Sequence, residues 1–135
     1  MKAVIYFSLS NRTKQIVSDI DADMYPIIPK GRVPKTLVGQ MIVFGFLSVL
    51  KKSRPIERLD IDLSKYEEIV VATPVWAGRV SCFMRTFLEQ NNIKNKKVTL
   101  LATCDGGPGS VIMDYKKYLG ENEINEQVYI KGELV

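Results

Sequence analysis

The chain has 135 residues, of which 46% are hydrophobic and 25% charged, and these proportions are typical of one globular domain covering residues 1–135. Nineteen Lys and Arg against fifteen Asp and Glu give a formal net charge of +4, too small an excess to indicate a nucleic-acid-binding protein. The absence of histidine excludes Ser-His-Asp and Cys-His catalytic centres and removes the commonest metal ligand. Any chemistry is therefore expected to belong to a bound cofactor.

Cellular location is predicted from the cysteines and the apolar segments. Cys82 and Cys104 are too few for a disulfide framework and are typical of a reducing compartment. The apolar run after Lys2 is short and carries no signal-peptide cleavage pattern. The longest apolar stretch, residues 37–50, falls short of the roughly 20 residues that a bilayer requires. We therefore expect a soluble cytoplasmic protein without membrane, nucleic-acid or metal partners.

Strand and helix patterns alternate along the chain. Short apolar or alternating runs predict five strands, at residues 3–7, 23–28, 68–73, 97–103 and 126–131. Helical spacing of apolar residues and helix end signals predict helices at about residues 12–20, 35–52, 82–88 and 108–120.

The character of the strands predicts their arrangement. Three of them are apolar on both faces, as in the centre of a parallel sheet that is covered by helices. Pro26 places the second strand at an edge of the sheet, because proline cannot donate a ladder hydrogen bond. The alternation of Val128 and Ile130 is typical of a half-exposed edge strand. The prediction is an open, doubly wound α/β fold with a five-stranded parallel sheet.

Ligands of such folds bind beyond the carboxyl ends of the strands, so the three loops at those ends are the candidate sites. The first loop, which leads directly into a helix, contains Ser8, Ser10, Asn11, Arg12 and Thr13. Its hydroxyl groups and the N–H groups of a helix N-terminus suit a phosphate. Alternatively, Ser10 or Asn11 only caps the helix.

The second loop, after the third strand, contains Pro74, Val75, Trp76, Ala77, Gly78 and Arg79. The only Trp of the chain lies there, where it could stack on a flat ligand, although a single Trp is more often a packing residue. Arg79 could favour a negatively charged ligand, or it could lie in solvent.

The third loop, after the fourth strand, contains Thr103, Cys104, Asp105, Gly106 and Gly107. Its glycines allow close approach of the backbone to a ligand, or they serve a tight turn. A dinucleotide fingerprint is excluded, because Ile112 stands where a further glycine or alanine would be needed. Together the three loops predict a site for a phosphorylated planar cofactor.

The segment from Ser8 to Thr13 resembles the phosphate loop of the flavodoxin family, [ST]-x-[ST]-G-N-T, with Asn11 and Arg12 in place of Gly and Asn. Residues 66–88 are similar to the family's isoalloxazine-loop segment, and Gly106-Gly107 resembles its second flavin loop. The resemblance covers nearly the whole chain and implies the strand order 2-1-3-4-5, with bound FMN.

The chain departs from the flavodoxin pattern in three ways. It is basic, it ends at Val135 without the usual last helix, and its second helix is unusually apolar. Seven basic residues flank that helix, namely Lys30, Arg32, Lys35, Lys51, Lys52, Arg54 and Arg58. Glu57 is the only acidic residue from Pro29 to Arg58. Without a last helix, apolar sheet should be exposed. Val38, Ile42, Phe46 and Val49 could add apolar surface for a homodimer, or the helix could be buried against its own sheet.

The resemblance implies an FMN-binding redox protein that exchanges electrons with a redox partner protein. An NAD(P)H-dependent FMN or quinone reductase is the alternative, since the positive charge would welcome a phosphorylated nicotinamide nucleotide. A flavodoxin-like scaffold that has lost its cofactor is the third possibility. A receiver domain is excluded, because Ser8 and Thr73 occupy positions where such a domain needs acidic residues.

Overall fold

The computed structural model describes residues 1–8, 11–31, 36–50 and 52–135. Strands and helices alternate along these residues, with short additional strands. The strands are β1 (Lys2–Tyr6), β2 (Asp23–Pro26), β3 (Glu68–Trp76), β4 (Arg79–Val80), β5 (Lys97–Cys104), β6 (Glu123–Ile130) and β7 (Glu133–Leu134). The helices are α1 (Arg12–Val17), α2 (Leu37–Val49), α3 (Cys82–Gln90) and α4 (Val111–Leu119), with a 3-10 turn at Leu63–Lys65.

The central sheet confirms the predicted topology. Its parallel strands lie in the order β2-β1-β3-β5-β6, which is the predicted order 2-1-3-4-5. As Pro26 predicts, β2 is an edge strand, and Pro26 is its last residue. Two short antiparallel strands were not predicted: β4 pairs with the end of β3, and β7 pairs with β6.

The two faces of the sheet are covered unequally. On one face, residues of α3 and α4 form a large buried core with β1, β3 and β5, and Leu47 of α2 packs against it. On the other face, α1 covers a smaller cluster around Val4, Val70 and Leu101. The fold therefore has the three-layer arrangement of a doubly wound sheet.

The expectation of an exposed apolar sheet is wrong. On the α1 side, β5 and β6 present Thr99, Asn125 and Gln127, which are partly or fully exposed. The aliphatic residues of β6, Ile124, Val128 and Ile130, face the α4 side, and Tyr129 packs against the cluster that α1 covers. Polar side chains thus occupy the part of the sheet that α1 leaves uncovered.

The second helix is shorter than predicted, and part of its surface is apolar and exposed. Lys35 and Lys51, within its predicted range of 35–52, lie outside the described residues, as does Arg32. Val38, Ile42 and Phe46 are each about two-thirds exposed, at 66%, 68% and 65%, which contradicts the alternative of a fully buried helix. The side chain of Val49 lies outside the described part. None of the described helices has the length and apolar character needed to cross a membrane.

Candidate functional site

The three loops predicted to carry a ligand follow β1, β3 and β5, which are neighbouring parallel strands. Parallel strands end at the same edge of the sheet, so the loops meet at the carboxyl edge. Direct contacts join them in pairs. The candidate site is therefore a connected structure.

In the first loop, Asn11 is the N-cap residue of α1, yet its side chain makes no capping hydrogen bond. The hydroxyl of Ser8 instead accepts a hydrogen bond from the N–H of Lys14 at 3.3 Å. Asn11 has φ of 65°, in the left-handed region that glycine adopts most readily and Asn better than most other residues. Ser10 lies outside the described residues.

Two contacts connect the first loop to the third. The hydroxyls of Thr13 and Thr103 lie 2.8 Å apart, and both side chains are buried. At the surface, the guanidinium of Arg12 forms an ion pair with the carboxylate of Asp105. The loop after β1 and the loop after β5 are thus held together by one buried and one exposed contact.

The structure corrects the prediction for the second loop. Pro74, Val75 and Trp76 belong to β3, which continues three residues beyond the predicted strand. Ala77 and Gly78 form a two-residue turn, and Arg79 begins β4 opposite Trp76. The φ values of Ala77 and Gly78 are 52° and 75°, the sign pattern of a type I′ hairpin turn. The segment is therefore a tight hairpin and not an open loop.

Trp76 lies at the rim of the core. Its ring packs at a steep angle against Phe7, with centroids 5.4 Å apart, and against Phe83 at 6.2 Å. The residue is only partly buried. A packing role and a ligand-stacking role of this Trp are therefore compatible, because packing fixes the ring while part of it stays accessible at the carboxyl edge.

Arg79 is tied to a buried carboxylate. Its Nη1 donates to Oδ1 of Asp114 at 2.9 Å, and Oδ2 of Asp114 accepts from Nη2 of the buried Arg85 at 2.9 Å. The N–H of Val80 also donates to Asp114. Burial by itself raises the pKa of Asp114, but the hydrogen bonds from Arg85, Val80 and Arg79 outweigh it and hold the pKa below its usual range. Asp114 thus compensates part of the charge that Arg79 was expected to offer a ligand.

The third loop borders free space at Gly106 and Gly107 and contacts the hairpin at Gly109. A Cβ on Gly106 or on Gly107 would meet no atom within 4 Å, so this backbone borders free space. At Gly109, in contrast, the backbone contacts Gly78 of the hairpin, and the N–H of Ser110 donates to the Gly78 carbonyl at 2.7 Å.

Cys104 is buried at the end of β5. Burial raises the pKa of its thiol, and the nearby carboxylate of Asp105 raises it further. Its Sγ lies 3.6 Å from the carbonyl oxygen of Tyr129. The thiol is therefore protonated at neutral pH and part of the packing, which makes it a poor nucleophile.

Sequence reasoning missed two residues that shape the site. Asp114 anchors the hairpin, and Gly109 allows the hairpin and the third loop to touch. An acidic residue in the first turn of a helix is common, so Asp114 carries no distinctive signal. The glycines of this segment, Gly109 included, predict a backbone that lies against a ligand or forms a tight turn, and nothing in the sequence signals the contact of Gly109 with Gly78.

No protein-family model and no curated protein matches the chain by sequence. Solved structures do match. A protein from Bacteroides eggerthii assigned as a flavoprotein has 20% identity and a TM-score of 0.77, over 98% of this chain and 88% of its own. A flavoprotein from Lactobacillus acidophilus in complex with FMN has 20% identity and a TM-score of 0.76, covering 96% of this chain and 91% of its own. The apo form of the Lactobacillus acidophilus flavoprotein, determined by NMR, has 18% identity and a TM-score of 0.70, covering 98% and 96%.

These similarities, together with the strand order, show that the chain has a flavodoxin-like fold. The similar structures span almost the whole chain, 98% and 96% of it.

Proposed function

We propose that this chain binds FMN non-covalently at the carboxyl edge of its sheet and transfers electrons through it to and from a redox partner protein. One observation carries the proposal: the three loops that the flavodoxin resemblance assigns to FMN lie together at one edge and are joined by direct contacts. That the flavoprotein from Lactobacillus acidophilus with the same fold is a complex with FMN supports the choice of ligand.

The first loop suits a phosphate despite its departure from the family pattern. Asn11, in the place of glycine, keeps the left-handed backbone conformation that a glycine would adopt there. Ser8 accepts one hydrogen bond from the backbone, and its own hydroxyl proton can be donated to a phosphate oxygen. We infer that Ser8, Ser10, Asn11, Arg12 and Thr13 surround the FMN phosphate.

The other two loops suit a planar ring system. Trp76 offers a fixed aromatic surface. Gly106 and Gly107 have no side chains, so the space beside their backbone is free. The isoalloxazine ring of FMN accepts and releases electrons, while the protein binds and orients it. Asp114 accepts hydrogen bonds from Arg79 and from the N–H of Val80 and so holds the hairpin that bears Trp76, which positions the aromatic surface before FMN arrives.

Titration with FMN and with riboflavin tests the proposal. Binding should quench flavin fluorescence, and FMN should bind at least about a hundredfold more tightly than riboflavin, since charge-assisted hydrogen bonds to the phosphate are lost with riboflavin. Equal affinities for FMN and riboflavin would show that the first loop does not bind the phosphate. A failure of both ligands to bind would leave a flavodoxin-like scaffold without a cofactor.

Stepwise reduction of the FMN-loaded protein tests the electron-transfer role. Absorbance spectra that pass through a one-electron stage would support a carrier that serves a redox partner protein. Direct two-electron reduction that is rapid with NADH or NADPH would instead indicate the NAD(P)H-dependent reductase.

A further inference from the structure

Helix α2 and Leu50, the residue that follows it, present an apolar stripe to solvent, which we define as Val38, Ile42, Phe46 and Leu50. Their exposed fractions are 66%, 68%, 65% and 49%. The four residues are spaced by four, so they lie along one side of the helix. At 1.5 Å per residue the stripe is about 18 Å long. A continuous apolar surface of this kind marks a site of interaction.

The rest of the helix is held by the fold. Leu47 packs against the main core, and α2 contacts β3, β4 and α3. The stripe is therefore not an unfolded or detached segment. The helix is docked through one side and directs an apolar side outwards, the reverse of the usual polar outer face of a surface helix.

Basic residues lie on the segments that lead into and out of this helix. The segments that lead into and out of α2 pair with each other, since the N–H of Lys30 donates to the Pro55 carbonyl at 3.0 Å and that of Glu57 to the Ile28 carbonyl at 2.7 Å. Lys30, Lys52 and Arg58 on these segments are exposed. Among the described residues, no carboxylate forms an ion pair with the side chains of these three.

We propose that α2 is an interfacial membrane anchor: the apolar stripe inserts among the headgroups of an anionic lipid bilayer, and the basic residues of the adjoining segments contact lipid phosphates. An exposed apolar face with flanking Lys and Arg is the chemistry by which helices lie on anionic membranes. The proposal is independent of FMN. It departs from the sequence-based expectation of a protein without a membrane partner. The helix, which has 13 residues, would lie on the membrane surface and would not span the bilayer.

Charge favours the bilayer over a second copy of this chain. In a symmetric dimer the same surface faces itself, so the basic residues of the segments that adjoin α2 would be brought towards those of the partner. Like charges at such a rim repel, whereas the cytoplasmic leaflet of a membrane carries negative charge. The homodimer expected from the sequence is accordingly the outcome that would compete with the anchor.

Vesicle co-sedimentation of the full chain tests the anchor. We expect binding to vesicles of phosphatidylcholine mixed with phosphatidylglycerol, weaker binding to phosphatidylcholine alone, and loss of binding as salt is raised. The variant Ile42→Ser/Phe46→Ser should lose binding by tenfold or more, since each side chain contributes by leaving water. The matched control is Met113→Ser on α4, whose side chain is 74% exposed and lies outside the stripe, and it should bind unchanged.

Single charge changes provide a second, milder test. Lys52→Gln should weaken binding to the anionic vesicles about fivefold, which corresponds to about 1 kcal/mol per basic residue. Lys117→Gln, an exposed lysine on α4, should leave it unchanged. Circular dichroism establishes that each variant is folded, and Val38→Ser replaces the double variant if that one is not.

Three results would overturn the anchor. The first is no binding to either kind of vesicle at low salt. The second is binding that Ile42→Ser/Phe46→Ser and Met113→Ser alter equally. The third is a dimer in sedimentation equilibrium that dissociates in Ile42→Ser/Phe46→Ser and does not bind vesicles, which would show that a second copy covers the stripe.

Discussion

Gly109 and Gly78 are in backbone contact, and the contact leaves no room for a side chain: a Cβ on Gly109 would lie 2.5 Å from the Cα of Gly78. Gly109 also has φ of 54°, a conformation that strains any residue with a Cβ. The hydrogen bond from Ser110 to the Gly78 carbonyl lies beside this contact. The β3–β4 hairpin and the loop after β5 therefore form one unit at the carboxyl edge.

Replacing Gly109 by alanine should disrupt that unit. We expect Gly109→Ala to lower the free energy of unfolding by about 2–4 kcal/mol, from backbone strain and from the clash with Gly78. Gly107→Ala is the control, because its Cβ would enter free space, and its stability should stay within about 0.5 kcal/mol of the parent. Urea denaturation measures both. Equal losses would show that the contact between the two glycines does not hold in solution.

Removal of the Asp114 charge should be costly. Asp114→Asn leaves the buried guanidinium of Arg85 without its compensating charge, and breaking a buried ion pair from one side costs about 3–5 kcal/mol. Denaturation at pH 7 measures the loss. Asp19→Asn, an exposed residue just after α1, is the control and should change the stability little. A small effect of Asp114→Asn would mean that the hairpin is held mainly by its own backbone pairing.

The same carboxylate predicts an acid dependence. The folded-state pKa of Asp114 lies below its usual value of 3.8, so its contribution to stability is present above about pH 4. It is lost as the pH falls through the lower folded-state pKa, because the folded protein then takes up the proton. Stability measured from pH 5 downwards should therefore fall less steeply in Asp114→Asn than in the parent. If the stability of Asp114→Asn and that of the parent fell equally steeply with pH, the ion pair of Asp114 would be contradicted.

The strand order of the sheet was predictable through the resemblance to flavodoxins, whereas the extent of β3 was not. Pro74 predicts the end of a strand, since it lacks the N–H that a ladder requires. In the structure, the carbonyl of Ala72 accepts a hydrogen bond from the N–H of Phe7, the residue that follows β1. Position 74, two residues later, is directed towards the same neighbouring strand, but β1 has already ended there. On its other side β3 still pairs with β5 at this point, where Pro74 lies opposite Thr103, and Val75 and Trp76 pair with β4, so β3 continues to Trp76.

The candidate loops were also predictable, while the contacts that join them were not. Ligand-binding loops follow strand ends by topology, so locating the strands locates the loops. The pairing of Arg79 with Asp114 joins residues 35 positions apart, and no local pattern signals it. The same applies to the contact between Thr13 and Thr103, whose residue types alone predict only polar or turn positions.

The thiol of Cys82 should be inert near neutral pH. It is fully buried at the start of α3, and burial raises its pKa to about 12. Iodoacetamide at pH 8 should therefore leave Cys82 unmodified in the folded protein and modify it rapidly in denaturant. Mass spectrometry of peptides locates the label. Modification of Cys82 in the folded state at a rate near that of the unfolded chain would show that α3 opens readily.

A negative charge in the first loop should oppose FMN. Ser10→Asp would remove a hydroxyl donor and place a carboxylate beside the phosphate, so we expect the affinity for FMN to fall by about 3 kcal/mol, through repulsion and the lost hydrogen bond. Riboflavin, which has no phosphate, should bind Ser10→Asp and the parent alike. Ser18→Asp places the same charge at the opposite end of α1 and should leave the FMN affinity nearly unchanged. If Ser10→Asp binds FMN as tightly as the parent does, the phosphate lies elsewhere on the chain.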